Sequence, residues 1–179
     1  FNRHKTPLNL IASYSGRDFG ANGFYASPSA INQYEETQAS LISLSQRRTK
    51  NAWIFKPKVY WRRGQDMYEY IRNKPEIYRN LHVTSKLGAA FDASAPSHLG
   101  LTGMGIDISR VSIRSNNLGQ RSRSMMNFFM EHRFYFFEKS VDITPGFAAN
   151  YFSDFGTHSF PGIDLGWQIS NNYRLYANT

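Results

Sequence analysis

The sequence of 179 residues contains no cysteine, which excludes disulfide bonds, thiolate metal sites and a cysteine nucleophile. No apolar run approaches the roughly 18 residues that a membrane-spanning helix needs. The densest apolar stretch, residues 125–137, is broken by four polar side chains, namely Asn127, Glu131, His132 and Arg133. A helical membrane protein is therefore not predicted.

Acidic residues are also few, with 13 Asp and Glu against 21 Lys and Arg, for a net charge of +8. The basic residues are scattered in groups of two or three. Nucleic-acid-binding proteins usually concentrate such charge on one face or one helix. We therefore predict no nucleic-acid partner.

Enzyme signatures are missing as well, because the sequence has no G-x-S-x-G, P-loop or H-E-x-x-H motif. We predict no catalytic residues, no cofactor and no metal site. Asp18, Asp66 and Asp154 lack the spaced oxygen ligands of a calcium loop, and we interpret them as solvated loop carboxylates. A Ser-His-Asp site assembled across strands stays a minor alternative, since such triads have no fixed sequence order.

Aromatic residues are abundant, at 16% of the chain (14 Phe, 11 Tyr and 3 Trp), although the mean hydropathy is negative. The dominant pattern is alternation with a period of two, as at 81–93, where odd positions are mostly apolar and even positions polar or small. This period is typical of strands with two different faces. We predict nine strands, near 6–14, 34–46, 52–62, 80–93, 99–111, 123–137, 141–152, 159–169 and 173–179.

The connections between these predicted strands are alternately short and long. An up-and-down antiparallel sheet with tight turns at one end and long loops at the other is typical of an outer-membrane β-barrel. The strand lengths agree, since a tilted membrane strand needs roughly 9–11 residues. The prediction is an all-β, antiparallel transmembrane barrel segment of about nine strands. A soluble β-sandwich or lipocalin-like barrel is the alternative.

Alternation also predicts which side chains share a face. Val83, Leu87 and Phe91 are expected to face lipid, and His82, Lys86 and Asp92 the lumen. The apolar face of 53–61 lies opposite three basic side chains that we expect in the lumen: Lys56, Lys58 and Arg62. Rings near strand ends suggest interfacial girdles; they are Tyr34, Trp53, Trp61, Tyr135, Tyr151, Trp167 and Tyr173.

Eight segments, spread in order over nearly the whole chain, resemble the barrels of TonB-dependent outer-membrane receptors. They are 16–25 (GRDFGANGFY), 33–35 (QYE), 59–63 (VYWRR), 78–80 (YRN), 115–119 (SNNLG), 131–133 (EHR), 151–156 (YFSDFG) and 160–165 (FPGIDL). Within that family the chain looks most like the cobalamin-receptor-like branch. The resemblance implies a barrel of about 22 strands, closed by an amino-terminal plug. Residues 1–179 are expected to be part of the barrel domain, with the plug absent.

The resemblance implies an outer-membrane receptor that imports a scarce nutrient, such as cobalamin or a metal chelate, with energy transmitted by TonB. TonB would act through the missing plug, and outer-membrane lipid and a surface lipoprotein are the other expected partners. A passive porin or structural barrel is the alternative function.

Ligand-binding candidates lie on the two longest predicted loops, 15–33 and 63–79. Rings and cations there suit a large planar or anionic nutrient through stacking, cation–π contacts and hydrogen bonds. The candidates are Phe24, Tyr25, Tyr68, Tyr70, Arg72 and Tyr78. The alternative is that the residues near 67–71 only extend a hairpin.

Overall fold

The computed structural model describes residues 7–25 and 27–179, which form one antiparallel sheet. Every long strand pairs with the next long strand along the chain. The strands are β1 (Leu8–Gly20), β2 (Tyr34–Gln46), β3 (Arg48–Lys50), β4 (Trp53–Glu69), β5 (Arg79–Ser97), β6 (Gly100–Ser115), β7 (Gly119–Phe136), β8 (Val141–Phe152), β9 (Gly156–Ser170) and β10 (Tyr173–Asn178). The predicted all-β, up-and-down architecture is confirmed. In the described residues, no helix has the length and apolar character required to cross a bilayer.

The described part of the chain has a 10-stranded sheet, not one of nine strands. The extra strand, β3, lies within the predicted turn at 47–51 and pairs with the beginning of β4. It continues the edge of β2 after an interruption at Arg47, because β2 pairs with β4 only as far as Lys58. Alternation cannot reveal a strand of three residues, since it needs more positions to be recognised.

Most strands are longer than predicted. β1 continues to Gly20, β4 continues to Glu69, and β7 begins at Gly119, whereas β2 and β8 have their predicted bounds. Position 6, where the first strand was expected to begin, lies outside the described residues. The long strands extend because their polar ends keep the same backbone pairing as their apolar middles.

The predicted strict alternation of short and long connections is consequently wrong. At one end of the sheet, here called the loop end, the connections are 21–33, 70–78, 116–118 and 153–155. At the opposite turn end they are 47–52, 98–99, 137–140 and 171–172. Only the first two connections at the loop end are long, because strand pairing takes up most of the other two predicted loops.

One face of the sheet, here called the outer face, carries most of the large apolar side chains. A row across five strands contains Leu44, Val59, Ala89, Ile108 and Met126. Val59 is 52% exposed and Ile108 is 54% exposed, so these side chains project away from the sheet. A contiguous exposed apolar surface of this kind marks an interaction with a membrane or a partner.

The apolar surface of β4 ends at Trp61. On the loop-end side of Trp61, the next outer-face row is Ser40, Arg63, Ser85, Ser112 and Ser122. Trp53 and Trp61 therefore lie at the two edges of the apolar surface on their strand, although Trp61 is in the middle of β4 and not near its end as predicted.

The opposite, inner face is polar and carries paired charges. The Tyr60 hydroxyl donates to the Asp107 carboxylate, at 3.0 Å from each oxygen. The Lys58 and Lys86 ammonium groups lie 5.4 and 5.5 Å from the centre of the Tyr60 ring. Gly88 leaves room for this ring, because a Cβ there would lie 2.5 Å from Tyr60 atoms. Lys58 and Lys86 thus share the face opposite the apolar residues, as alternation predicts.

A second ionic cluster joins β7, β8 and β10 on the inner face. The Asp142 side chain is 7% exposed, and Arg133 and Arg174 form ion pairs with it. Gly166 makes this approach possible, since a Cβ there would lie 2.6 Å from an Asp142 oxygen. Pairing of this kind offsets the cost of burying the Asp142 carboxylate.

Candidate functional site

A cleft of about 350 Å³ opens on the inner face at the loop end. It combines four phenol rings, two carboxylates, an amide and an imidazole. The lining residues are Tyr25, Glu35, Asp66, Tyr68, Tyr70, Tyr78, Asn80 and His82. A cleft of this volume that combines rings with a few polar groups is typical of a ligand-binding site.

The floor of the cleft comes from three adjacent strands. Glu35 of β2 pairs with Tyr68 of β4, which in turn pairs with Asn80 of β5. Asp66 and His82 pair with each other in the next row on the same face. Because successive residues of a strand point to opposite faces, this register places all five side chains on the inner face.

The first wall is formed by the described residues of the connection 21–33, namely 21–25 and 27–33, which hydrogen bonds hold together. The Ala21 amide donates to the Gln33 carbonyl at 2.9 Å, and the Gly23 amide donates to the Gln33 side-chain oxygen at 2.9 Å. Gln33 is only 2% exposed, and its side-chain amide donates to the Tyr68 hydroxyl. Gln33 therefore fixes both the loop and the ring of Tyr68.

The second wall is the connection 70–78. The Tyr70 amide donates to the Tyr78 carbonyl at 3.1 Å, and the Asn73 amide donates to the Glu69 carboxylate at 3.0 Å. Asn73 has a φ of 61°, which this residue type tolerates better than most. The Arg72 amide donates to the Asn32 carbonyl at 2.8 Å and so ties the two connections together.

Aromatic rings form a continuous series from the first wall across the floor to the second wall. The centroids of Phe24 and Tyr25 are 4.7 Å apart, those of Tyr25 and Tyr68 are 5.3 Å apart, and those of Tyr68 and Tyr78 are 6.4 Å apart. All three pairs are edge-on, an arrangement that contributes about 0.5–1.5 kcal/mol per pair beyond surface burial. The rings therefore hold each other in place.

The electrostatic character of the cleft is acidic. Glu35 is 6% exposed, and its Oε2 atom has no hydrogen-bond partner among the described residues. None of the described residues that line the cleft is Lys or Arg. The pKa of Tyr25 is raised to about 12, chiefly by hydrogen bonding to Glu35, and further by burial and the negative charges of Glu35 and Asp66.

Four of the six predicted binding residues line the cleft: Tyr25, Tyr68, Tyr70 and Tyr78. Tyr68 is a residue of strand β4, so its prediction as a loop residue is wrong. Phe24 packs against Tyr25 but does not line the cleft, and it is 75% exposed. The Arg72 guanidinium lies 4.5 Å from the centre of the Tyr34 ring and is also absent from the lining.

Sequence reasoning did not select the four other lining residues, Glu35, Asp66, Asn80 and His82. The signal was present for three of them, because alternation places Asp66 on the same face as Lys58, and Asn80 and His82 on the same face as Lys86. Glu35 joins them only through the register between β2 and β4. His82 is held by a 2.8 Å hydrogen bond between its Nδ1 and the Ser115 hydroxyl.

Within the described residues, no group of three or more His, Asp and Glu side chains is arranged to hold a metal ion. Asp154 forms an ion pair with Arg123 at 2.8 Å. Asp18 lies in strand β1 and not in a loop as predicted. Asp66 lines the cleft.

No family model matches the sequence, and no curated protein matches it either. Among solved structures, the chain is similar to the siderophore receptor PirA from Pseudomonas aeruginosa, with a TM-score of 0.81 and 9% sequence identity. The match covers 99% of this chain and 30% of that receptor, so the chain spans less than a third of its length. At this identity the similarity establishes the fold, and the predicted barrel segment is confirmed at that level.

Proposed function

We propose that the chain forms part of the wall of an outer-membrane receptor that binds a scarce nutrient chelate and imports it. The observation that carries the proposal is the position of the cleft. It lies at one end of a barrel-type sheet, on the polar face, with the apolar surface on the opposite face. A ligand site in the mouth of a barrel has this arrangement.

In this proposal the outer face contacts the lipid of the outer membrane, and the loop end lies outside the cell. The cleft is then open to the medium, and a bound ligand lies above the lumen. Transport against a gradient needs energy, which TonB would transmit through a plug domain that these strands do not form. A surface lipoprotein that delivers the ligand is a further proposed partner.

Two ligand classes are candidates. The similarity to a siderophore receptor favours an iron chelate, and the sequence resemblance favours a cobalamin-like ligand. A cleft of about 350 Å³ accommodates one side or arm of a large chelate. The remaining contacts would come from other parts of the intact receptor.

Uptake by cells that carry the intact protein tests this function. Radiolabelled iron chelates and cobalamin would be offered to cells that lack their own receptors, with and without a working TonB. We expect accumulation of one ligand class only when both the protein and TonB are present. Uptake of the same extent without TonB would contradict the proposal and favour a passive pore.

Matched variants connect uptake to the cleft. Replacing Tyr68, Tyr70 and Tyr78 together with Ala should weaken ligand binding by at least 10-fold, because the ring contacts are lost. Tyr135→Ala is the control, since Tyr135 lies near the turn end and contacts Lys139. Unchanged affinity in the triple variant would mean that these tyrosines serve only the architecture.

A further inference from the structure

We propose that the cleft binds a cationic group of its ligand, an ammonium or a guanidinium, between the Glu35 and Asp66 carboxylates and the surrounding tyrosine rings. The inference rests on the proposed receptor function and specifies the charge of the group that the ligand presents to the cleft.

The first argument is that the buried carboxylate of Glu35 has no cation paired with it among the residues that line the cleft. Glu35 lines the cleft and is only 6% exposed. Its Oε2 atom has no hydrogen-bond partner among the described residues. Asp66 adds a second carboxylate to the same lining. A buried carboxylate without a cation is unfavourable, and proteins normally pair it. The inner face shows the usual solution at Asp142, where two arginines complete the pairing.

The second argument is that Arg72, the arginine of the second wall, has its guanidinium outside the cleft. The Arg72 guanidinium lies against the Tyr34 ring, and the Arg72 amide bonds to Asn32. Tyr34 is the neighbour of Glu35 on β2, so its side chain points to the opposite face of the sheet. The positive charge of Arg72 is thus held outside the cleft. A ligand can supply the cation that the Glu35 carboxylate lacks.

The third argument is the chemistry of the walls. Tyrosine rings attract cations through their negative faces, and desolvation strengthens this attraction. Tyr25, Tyr68, Tyr70 and Tyr78 line the cleft together. The Asn80 side-chain oxygen already accepts a hydrogen bond from Asn117 and helps to fix the rim. Carboxylates surrounded by rings favour a cation and repel an anion, in contrast to the anionic nutrient that the sequence suggested.

A charge series on one chelate tests the inference in the intact receptor. The probes are a linear ferric trihydroxamate with a free terminal ammonium, its N-acetylated neutral form and its N-succinylated anionic form. They share one metal centre and one backbone, so a difference in affinity reports the charge of the terminal group. We expect the ammonium form to bind at least 10-fold more tightly than the succinylated form.

Variants assign that preference to the cleft. Glu35→Gln and Asp66→Asn should each reduce the charge preference at least threefold, whereas Glu36→Gln should leave it unchanged. Glu36 is a matched control because it is the next residue of β2, and its carboxylate accepts a bond from Gln38. Heat-modifiable mobility on gels verifies that each variant is folded. If Glu35→Gln does not assemble, the charge preference of Asp66→Asn alone decides the test.

Two small probes separate this inference from the proposed function. Phenyltrimethylammonium and benzenesulfonate carry a ring and opposite charges but no chelate. Binding of phenyltrimethylammonium that is lost in Glu35→Gln or Asp66→Asn, without binding of any chelate, supports the cation site and contradicts the chelate receptor. TonB-dependent chelate uptake with no charge preference supports the receptor and overturns the cation site. Absence of any charge preference in both probe sets overturns the inference.

Discussion

An arginine placed on the outer face of β5 should reveal where the bilayer lies. Phe91 is 44% exposed on this face and stacks on Phe55 with ring centres 5.9 Å apart. Leu87 lies in the same row as Trp61, where the apolar surface of β4 ends. Phe91 lies four positions beyond Leu87 in β5, which corresponds to about 13 Å along the strand, or roughly 10 Å along the membrane normal at the usual tilt. If the outer face contacts lipid as proposed, Phe91 is near the bilayer midplane and Leu87 near its edge.

Arginine in a transmembrane barrel costs about 2–4 kcal/mol at the midplane and about 0–1 kcal/mol near the interface. We therefore expect Phe91→Arg to be about 2–4 kcal/mol less stable than Phe91→Ala, which corrects for the lost ring. Leu87→Arg should differ from Leu87→Ala by at most about 1 kcal/mol.

The measurement is reversible denaturant unfolding of the intact protein in lipid bilayers, followed by tryptophan fluorescence. Equal penalties at Leu87 and Phe91 would refute the assigned bilayer position. A larger penalty at Leu87 would refute it too. A penalty at neither position would show that the outer face does not contact lipid.

Three further predictions follow from the inner face and the cleft. Gly88→Ala should lower the free energy of unfolding by about 1–3 kcal/mol, because the added Cβ displaces the Tyr60 ring from Asp107. Gly146→Ala in β8 is the control, since a Cβ there would make only ordinary contacts at 3.8 Å. Asp142→Asn should cost about 1–2 kcal/mol, less than a fully buried pair because Arg133 and Arg174 are nearly half exposed; an unchanged midpoint of unfolding would contradict this. Glu35→Gln should lower the pKa of Tyr25 from about 12 toward its ordinary 10.0, since the main cause of the shift is removed; the titration is followed by the Tyr25 ring-carbon chemical shift, and an unchanged value would contradict the assignment.

The class of fold was accessible from sequence because alternation is a local signal. β2 and β8 have their predicted bounds, and β8 begins and ends where the apolar residues Val141 and Phe152 adjoin serines. β4 was expected to end at Arg62 but continues to Glu69, because backbone pairing with β2 and β5 does not depend on the polarity of the side chains.

The site was less accessible, because it depends on register between strands that are distant in sequence. Tyr25, Tyr70 and Tyr78 stood out as rings in connections, but Glu35 and Asn80 become part of the site only through their pairing with Tyr68. Arg72 shows how little the position of a residue in a connection says about the direction of its side chain. Its position in a connection suggested ligand contact, yet its guanidinium lies against Tyr34.

The bond between Arg72 and Asn32 has a kinetic consequence. It joins the two walls of the cleft, and Gln33, next to Asn32, also anchors the floor through Tyr68. Movement of one wall alone would break this bond, so in the proposed receptor a ligand meets a recognition surface that is already assembled. Little conformational entropy is then lost on association. Capture of a dilute solute should be limited by encounter, and its residence time should depend on how often both walls release together.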